Sequence, residues 1–341
     1  MLEKEVIVLN EERDVKLYAY TQPVEGEYLG IKERPAVLIL PGGGYQTCSD
    51  REAEIVAFAY MKAGYQAFVL RYSVKEHHTW PNPLHDYEQA VTMIREREDW
   101  HVSKDRVAVI GFSAGGHLAA SAAAISKIKP NAAILGYAAV REDICRNMQV
   151  PSVIPYVDKD TPQCFLFAAR DDHTVPIANT LDFEKALDEA GVMFESHIYA
   201  YGDHGFGPAD SYMLMESACD RVLRWVDDSI HWLADVFGEM KPAGGFSEPK
   251  VLHHFNGDQE DYLSTNCTVS YIAKQEGAKA LLEPYLKAAS AAAAASVGKE
   301  IDVTFFLGFM TLKGFLQMVQ VPEEQIRELD EKLKKIPNQK V

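Results

Sequence analysis

Ser113 stands between two glycines in Gly111-Phe112-Ser113-Ala114-Gly115, directly after the apolar run Val107-Ala108-Val109-Ile110. A serine hydroxyl is a weak nucleophile, so the spacing matters only if the backbone thrusts the side chain to where a base can reach it. A sharp turn from strand to helix does this, and it brings the positions two before and two after the serine so close that side chains there would clash. Gly111 and Gly115 meet that demand. The chemistry expected of Ser113 is nucleophilic attack on a carbonyl.

Such a serine needs a base, and the base needs a carboxylate that fixes its tautomer; with this kind of turn the chain order is serine, acid, histidine. The apolar run Cys164 to Ala169 is followed by Arg170-Asp171-Asp172-His173-Thr174-Val175-Pro176, which puts two acids at the carboxyl end of a strand, where sites of open α/β sheets collect. Asp172 is preferred as the acid because Asp171 is expected to turn toward the loop backbone. The next strand-like run, Phe194 to Tyr199, leads to Gly202-Asp203-His204-Gly205. Of the eleven histidines, His204 alone follows a late strand after a suitable acid, in a loop that glycines allow to bend. Asp203 is expected to brace that loop. The pairs His77-His78 and His253-His254 lack a third ligand at metal-site spacing, so no metal is expected, and the chemistry needs no cofactor.

Attack on a carbonyl also needs donors for the oxyanion. Pro41-Gly42-Gly43-Gly44-Tyr45 follows the run Leu38-Ile39-Leu40 and matches neither GxGxxG nor a P-loop, with no lysine after it. The backbone N–H groups of this glycine turn and that of Ala114 are the expected donors.

The elements that must position these residues are short apolar runs alternating with helical patterns. Strand-sized runs recur at Val6–Leu9, Val15–Tyr20, Ala36–Leu40, Ala67–Leu70, Val107–Ile110, Ala133–Leu135, Phe165–Ala168 and Phe194–Tyr199. Several are almost wholly apolar, as strands covered on both faces must be, while Lys16-Leu17-Tyr18-Ala19 suits an early antiparallel strand. Asp50–Ala63, Leu84–Arg97 and Ile177–Ala190 carry apolar residues at helical spacing. The expected fold is α/β: a doubly wound, mostly parallel sheet flanked by helices. Residues 1–240 are assigned to this domain. Residues 241–249, rich in Pro, Gly and Ser, are read as a linker, and residues 250–341 as a small all-helical domain with helices at Val269–Lys274, Ala278–Ala295, Met310–Met318 and Pro322–Ile336.

From about residue 15 to 230 the chain resembles the α/β-hydrolases, in particular bacterial acetyl esterases and xylan or sugar-ester deacetylases of the esterase/lipase branch. The likeness rests on PGGGY, LRYSV followed by WPNPLHD, GFSAGGHLA, ARDDHTVP and YGDHGFG. It implies Ser113 as nucleophile, Asp172 as acid, His204 as base, and Gly43, Gly44 and Ala114 as oxyanion donors. Pro41 stands where that branch has histidine, and Val140–Thr161 is short where relatives often carry a helical cap. The tail resembles, more weakly, small helical modules of carbohydrate-related enzymes.

The resulting expectation is a serine esterase that removes acetyl or another short acyl group from a neutral hydroxyl compound such as a sugar. The alternatives are a peptidase of prolyl-oligopeptidase type and a catalytically silent hydrolase fold used for binding. The formal charge of −16 argues against nucleic acid or an anionic membrane as partner, and −15 of it falls in residues 1–240, which disfavours strongly anionic esters. Nothing in the first ten residues resembles a signal peptide and the five cysteines form no CxxC, so a cytoplasmic protein with reduced thiols is expected. The helical tail is expected to pack over the pocket mouth or against another subunit.

Overall fold

The near-continuous apolar runs become strands of a sheet covered on both faces. The protein is described by a computed structural model that covers residues 3–24, 26–28, 30–207, 212, 216, 218–241, 244–250, 261–298 and 302–339. Among these, β1 (Glu3–Asn10), β2 (Val15–Thr21), β3 (Arg34–Leu40), β4 (Gln66–Arg71), β5 (Val102–Phe112), β6 (Ala132–Gly136), β7 (Cys164–Ala169) and β8 (Phe194–Tyr199) form one sheet in the order 1-2-4-3-5-6-7-8. The pairs β1–β2 and β2–β4 are antiparallel and every other pair is parallel. Each expected strand run lies inside one of these strands, and the looser run at residues 16–19 is in antiparallel β2, as its composition suggested.

Alternate residues of a central strand serve opposite cores. In β3, Ala36, Leu38 and Leu40 join the core on one face, with α2 (Asn82–Glu96), α3 (Ser113–Ala124) and α5 (Ala178–Glu189); Val37 and Ile39 join the other, with α1 (Glu54–Lys62) and α6 (Arg224–Phe237). Beside this sheet, two α-helices go beyond the sequence expectation: α6 and the short α4 (Glu142–Met148). The signal for α6 was present, since Trp225, Ser229, Trp232 and Leu233 fall at helical spacing and are all buried. The α4 segment is seven residues long and buries only Cys145, too little for a periodic pattern.

The chain divides into two compact units, Met1–Glu248 and Pro249–Val341. Of the segment read as a linker, the described residues up to Ser247 bond within the first unit: Lys241 N–H donates to Gly245 O at 3.0 Å, Ser247 N–H to Glu239 O at 2.8 Å, and the Arg106 guanidinium lies over the Phe246 ring at 3.9 Å. The second unit consists of α7 (Val269–Lys274), α8 (Glu276–Val297), α9 (Val303–Leu307), α10 (Leu312–Met318) and α11 (Glu323–Leu333). Its own core includes Val269, Ile272, Leu282, Phe315, Leu316, Leu329 and Leu333. Among the described residues no helix is long and apolar enough to cross a membrane.

Candidate active site

Strand β5 ends at Phe112 and α3 begins at Ser113, with no loop between them. The turn is tight enough to hold Ser113 in the left-handed region at φ +53°. A Cβ on Gly111 would lie 2.1 Å from Gly115 O, and one on Gly115 would lie 2.1 Å from Leu40 O, so neither position admits a side chain. Past the turn, Ala114 to Ala124 are all buried, and the small residues let α3 lie close against the sheet.

The loops after β7 and β8 deliver the acid and the base. Asp172 is buried; its Oδ1 accepts the N–H groups of Thr174 at 2.9 Å and Val175 at 2.7 Å, which leaves Oδ2 aimed at His204 Nδ1, 2.7 Å away. A carboxylate there calls for the proton on Nδ1, so the Nε2 lone pair accepts from Ser113 Oγ–H at 2.9 Å. Asp171 points the other way: its Oδ1 accepts the N–H groups of Gly202 and Asp203 at 2.9 and 3.0 Å, and these two bonds, that of Asp203 foremost, hold its carboxyl below the usual carboxylate range. Asp203, in the histidine loop, has φ +52°, and His173 lies 3.8 Å from its carboxylate.

Gly43 and Gly44 line the same cavity as Ser113 and His204, a space of about 550 Å³. Both have positive φ, +130° and +61°, and a Cβ on Gly43 would fall 2.2 Å from Thr47 O. The loop is a real turn, since Gly43 O accepts Gln46 N–H at 2.9 Å and Thr47 N–H at 3.2 Å. Ala114, at the first turn of α3, is buried beside Ser113.

Several residues of the site had no sequence expectation. Glu52 lines the cavity although it sits in the charged run Asp50-Arg51-Glu52-Ala53-Glu54, and burial pushes its carboxyl above the usual range. Tyr137 follows β6 directly and its ring lies edge-on to His204, with centroids 4.8 Å apart; its place at the end of a parallel strand was the available signal. Helix α4 supplies a wall through Ile144, Asn147 and Met148. Buried Asn179 pins the segment leading into that helix, its Oδ1 accepting the N–H groups of Val140 and Arg141 at 3.0 Å each. His117 on α3 is fully buried, with Tyr45 OH on Nδ1 at 2.7 Å and Pro151 O on Nε2 at 2.8 Å. A carbonyl can only accept, so the proton is on Nε2 and Tyr45 donates to Nδ1.

A serine, an imidazole and a buried carboxylate in one hydrogen-bonded line, beside a glycine turn, can carry out acyl transfer. The family described as BD-FAE matches residues 30–131, a stretch that contains the glycine turn and Ser113 but neither Asp172 nor His204. Among solved structures the chain is similar to an alpha/beta hydrolase enzyme from a Medee basin deep-sea metagenome library, with 41% identity, 69% of this chain and 98% of that one covered, and a TM-score of 0.64. It is also similar to an acetyl ester-xyloside bifunctional hydrolase from Caldicellulosiruptor lactoaceticus, with 25% identity, coverages of 69% and 96%, and a TM-score of 0.58. The acetylxylan esterase of Xylanibacter ruminicola is 30% identical over 198 residues, 50% of this chain and 41% of that protein. The chain belongs to the α/β-hydrolases. Two of its curated relatives are named as an acetylxylan esterase and an esterase. The chain spans less than half the length of the curated relatives it matches.

Proposed function

We propose that the protein is a serine carboxylic-ester hydrolase that removes short acyl groups, acetyl foremost, from the hydroxyls of a sugar or xylo-oligosaccharide. The observation that carries this reading is the line Ser113 Oγ, His204 Nε2, His204 Nδ1, Asp172 Oδ2, with spacings of 2.9 and 2.7 Å, opening on a cavity lined by Gly43 and Gly44. Ser113 Oγ attacks the ester carbonyl as His204 Nε2 takes its proton; Asp172 holds the imidazole and stabilises the imidazolium. The N–H groups of Gly43, Gly44 and Ala114 bind the oxyanion. His204 then returns the proton to the leaving alcohol, and a water activated by the same nitrogen hydrolyses the acyl-enzyme. None of these steps calls on a metal or a cofactor.

The apolar wall of Ala139, Ile144, Met148 and Val175 supports a small acyl group. The names of two relatives, an acetylxylan esterase and an acetyl ester-xyloside hydrolase, support a sugar as the alcohol. Hydrolysis of p-nitrophenyl acetate and acetylated xylo-oligosaccharides, with kcat/KM falling as the acyl chain lengthens, is the expected result. Labelling of the wild-type chain but not of Ser113→Ala by a fluorophosphonate is expected alongside it. Near-normal turnover by Ser113→Ala would overturn the assignment.

A further inference from the structure

Glu52 is buried to 6% exposure in a cavity wall, and both of its oxygens are committed to backbone or side chains that frame the reaction. Oε2 accepts Gly42 N–H at 2.8 Å, at the root of the glycine turn. The approach is close: a Cβ on Gly42 would lie 2.6 Å from Oε2 and 3.1 Å from Ser113 Cβ. Oε1 accepts Tyr137 OH at 2.5 Å, and that hydroxyl in turn accepts Gly207 N–H at 2.9 Å, in the segment just after His204. The Tyr137 ring packs edge-on against both His204, at 4.8 Å, and Phe206, at 5.1 Å. One carboxylate therefore joins the loop after β3 to the loop after β8, across the top of the sheet.

Both loops are rich in glycine, so their intrinsic freedom is high and something must remove it before the donors and the base can be preorganised. A buried carboxyl is costly, and burial is the main reason that of Glu52 is pushed up, so its presence here calls for a compensating role. We propose that Glu52 is a positioning residue that fixes the oxyanion turn and the histidine loop relative to each other, with Tyr137 as its bridge. The proposal rests on the esterase reading above. Substrate binding depends on the cavity walls, whereas the carbonyl oxygen and the proton in flight depend on the two loops, so loosening the bridge acts on kcat rather than on KM.

The test is steady-state hydrolysis of p-nitrophenyl acetate by the full chain as wild type, Glu52→Gln, Tyr137→Phe and the double variant. Circular dichroism and thermal melts establish that each is folded, and fluorophosphonate labelling of the wild type reports Ser113. Each single variant is expected to lose about 10- to 100-fold in kcat, with KM within about threefold. The double variant is expected to fall no further than the worse single, because both changes break one bridge. Folded single variants that keep kcat within about twofold, or losses that multiply in the double variant, would overturn the role of Glu52 while leaving the esterase reading intact. If Glu52→Gln does not fold, Tyr137→Phe, which removes only the hydroxyl, decides alone by the same kcat and KM criteria. A wild-type chain without Ser113-dependent hydrolysis removes the esterase reading, and this proposal with it.

Discussion

The left-handed backbone at Ser113 costs on the order of 1 kcal/mol or more for a residue with a side chain, and the turn sustains it because it aims Oγ at His204. Glycine occupies that region without the penalty. Ser113→Gly is therefore expected to be inactive yet to melt a few degrees above Ser113→Ala, about 2–4 °C per kcal/mol for a unit of this size. Equal melting temperatures would show that the turn stores no strain. Asp172→Asn keeps the shape of the site but no longer fixes the tautomer of His204, and a loss in kcat on the order of 10⁴-fold is expected in ester hydrolysis. At His117, burial lowers the pKa from the ordinary 6.5 to about 4, against the pull of its bond to Pro151 O. The folded form thus binds the proton more weakly than the unfolded chain. The stability it contributes is complete above pH 6.5 and drains as the pH falls toward 4, by on the order of 3 kcal/mol. Urea melts between pH 7 and 4.5 should lose stability more steeply in the wild type than in His117→Gln.

Among the elements, the β5–α3 turn and α4 make different demands. Gly115→Ala would drive a methyl group to 2.1 Å from Leu40 O, so either α3 or β3 must move. A fall in stability of about 3 kcal/mol or more is expected in chemical denaturation, together with loss of esterase activity. Under the proposed function, helix α4, which lines the cavity, is expected to set the size of the acyl site rather than the chemistry. Met148→Ala should raise the ratio of kcat/KM for p-nitrophenyl butyrate over acetate by about tenfold, the worth of roughly one or two methylenes in an apolar pocket. An unchanged ratio would mean that the acyl chain does not meet α4. These two elements also differ in how far they could be read. The GxSxG run and its apolar strand carry their geometry locally, whereas the segment leading into α4 is held by bonds to distant residues, among them those of Asn179 to Val140 and Arg141, 39 and 38 positions away along the chain.

For the whole molecule, the two units each have a hydrophobic core of their own, and every residue of the candidate site lies in Met1–Glu248. A chain ending at Glu248 is expected to fold and to keep kcat on p-nitrophenyl acetate within about twofold, since independent cores unfold as separate cooperative units. Comparing the truncated and full chains on acetylated xylo-oligosaccharides then tests whether the helical unit serves larger substrates. The charge follows the same division: −15 in residues 1–240 against −1 in residues 241–341.

The sequence by itself determined what depends on neighbours along the chain. Strand periodicity, the glycines that a strand-to-helix turn demands, and the order serine, acid, histidine all follow from local backbone geometry, and they pointed to Ser113, Asp172 and His204. The tertiary structure alone decided which distant groups meet. His204 reaches Ser113 across 91 positions and Tyr137 reaches Glu52 across 85, because the sheet order sets β3, β5, β6, β7 and β8 side by side with their carboxyl ends together. In the sequence Glu52 is one acid in a solvated-looking run. Its burial beneath Gly42 and Tyr137 is a property of packing, which no local spacing encodes.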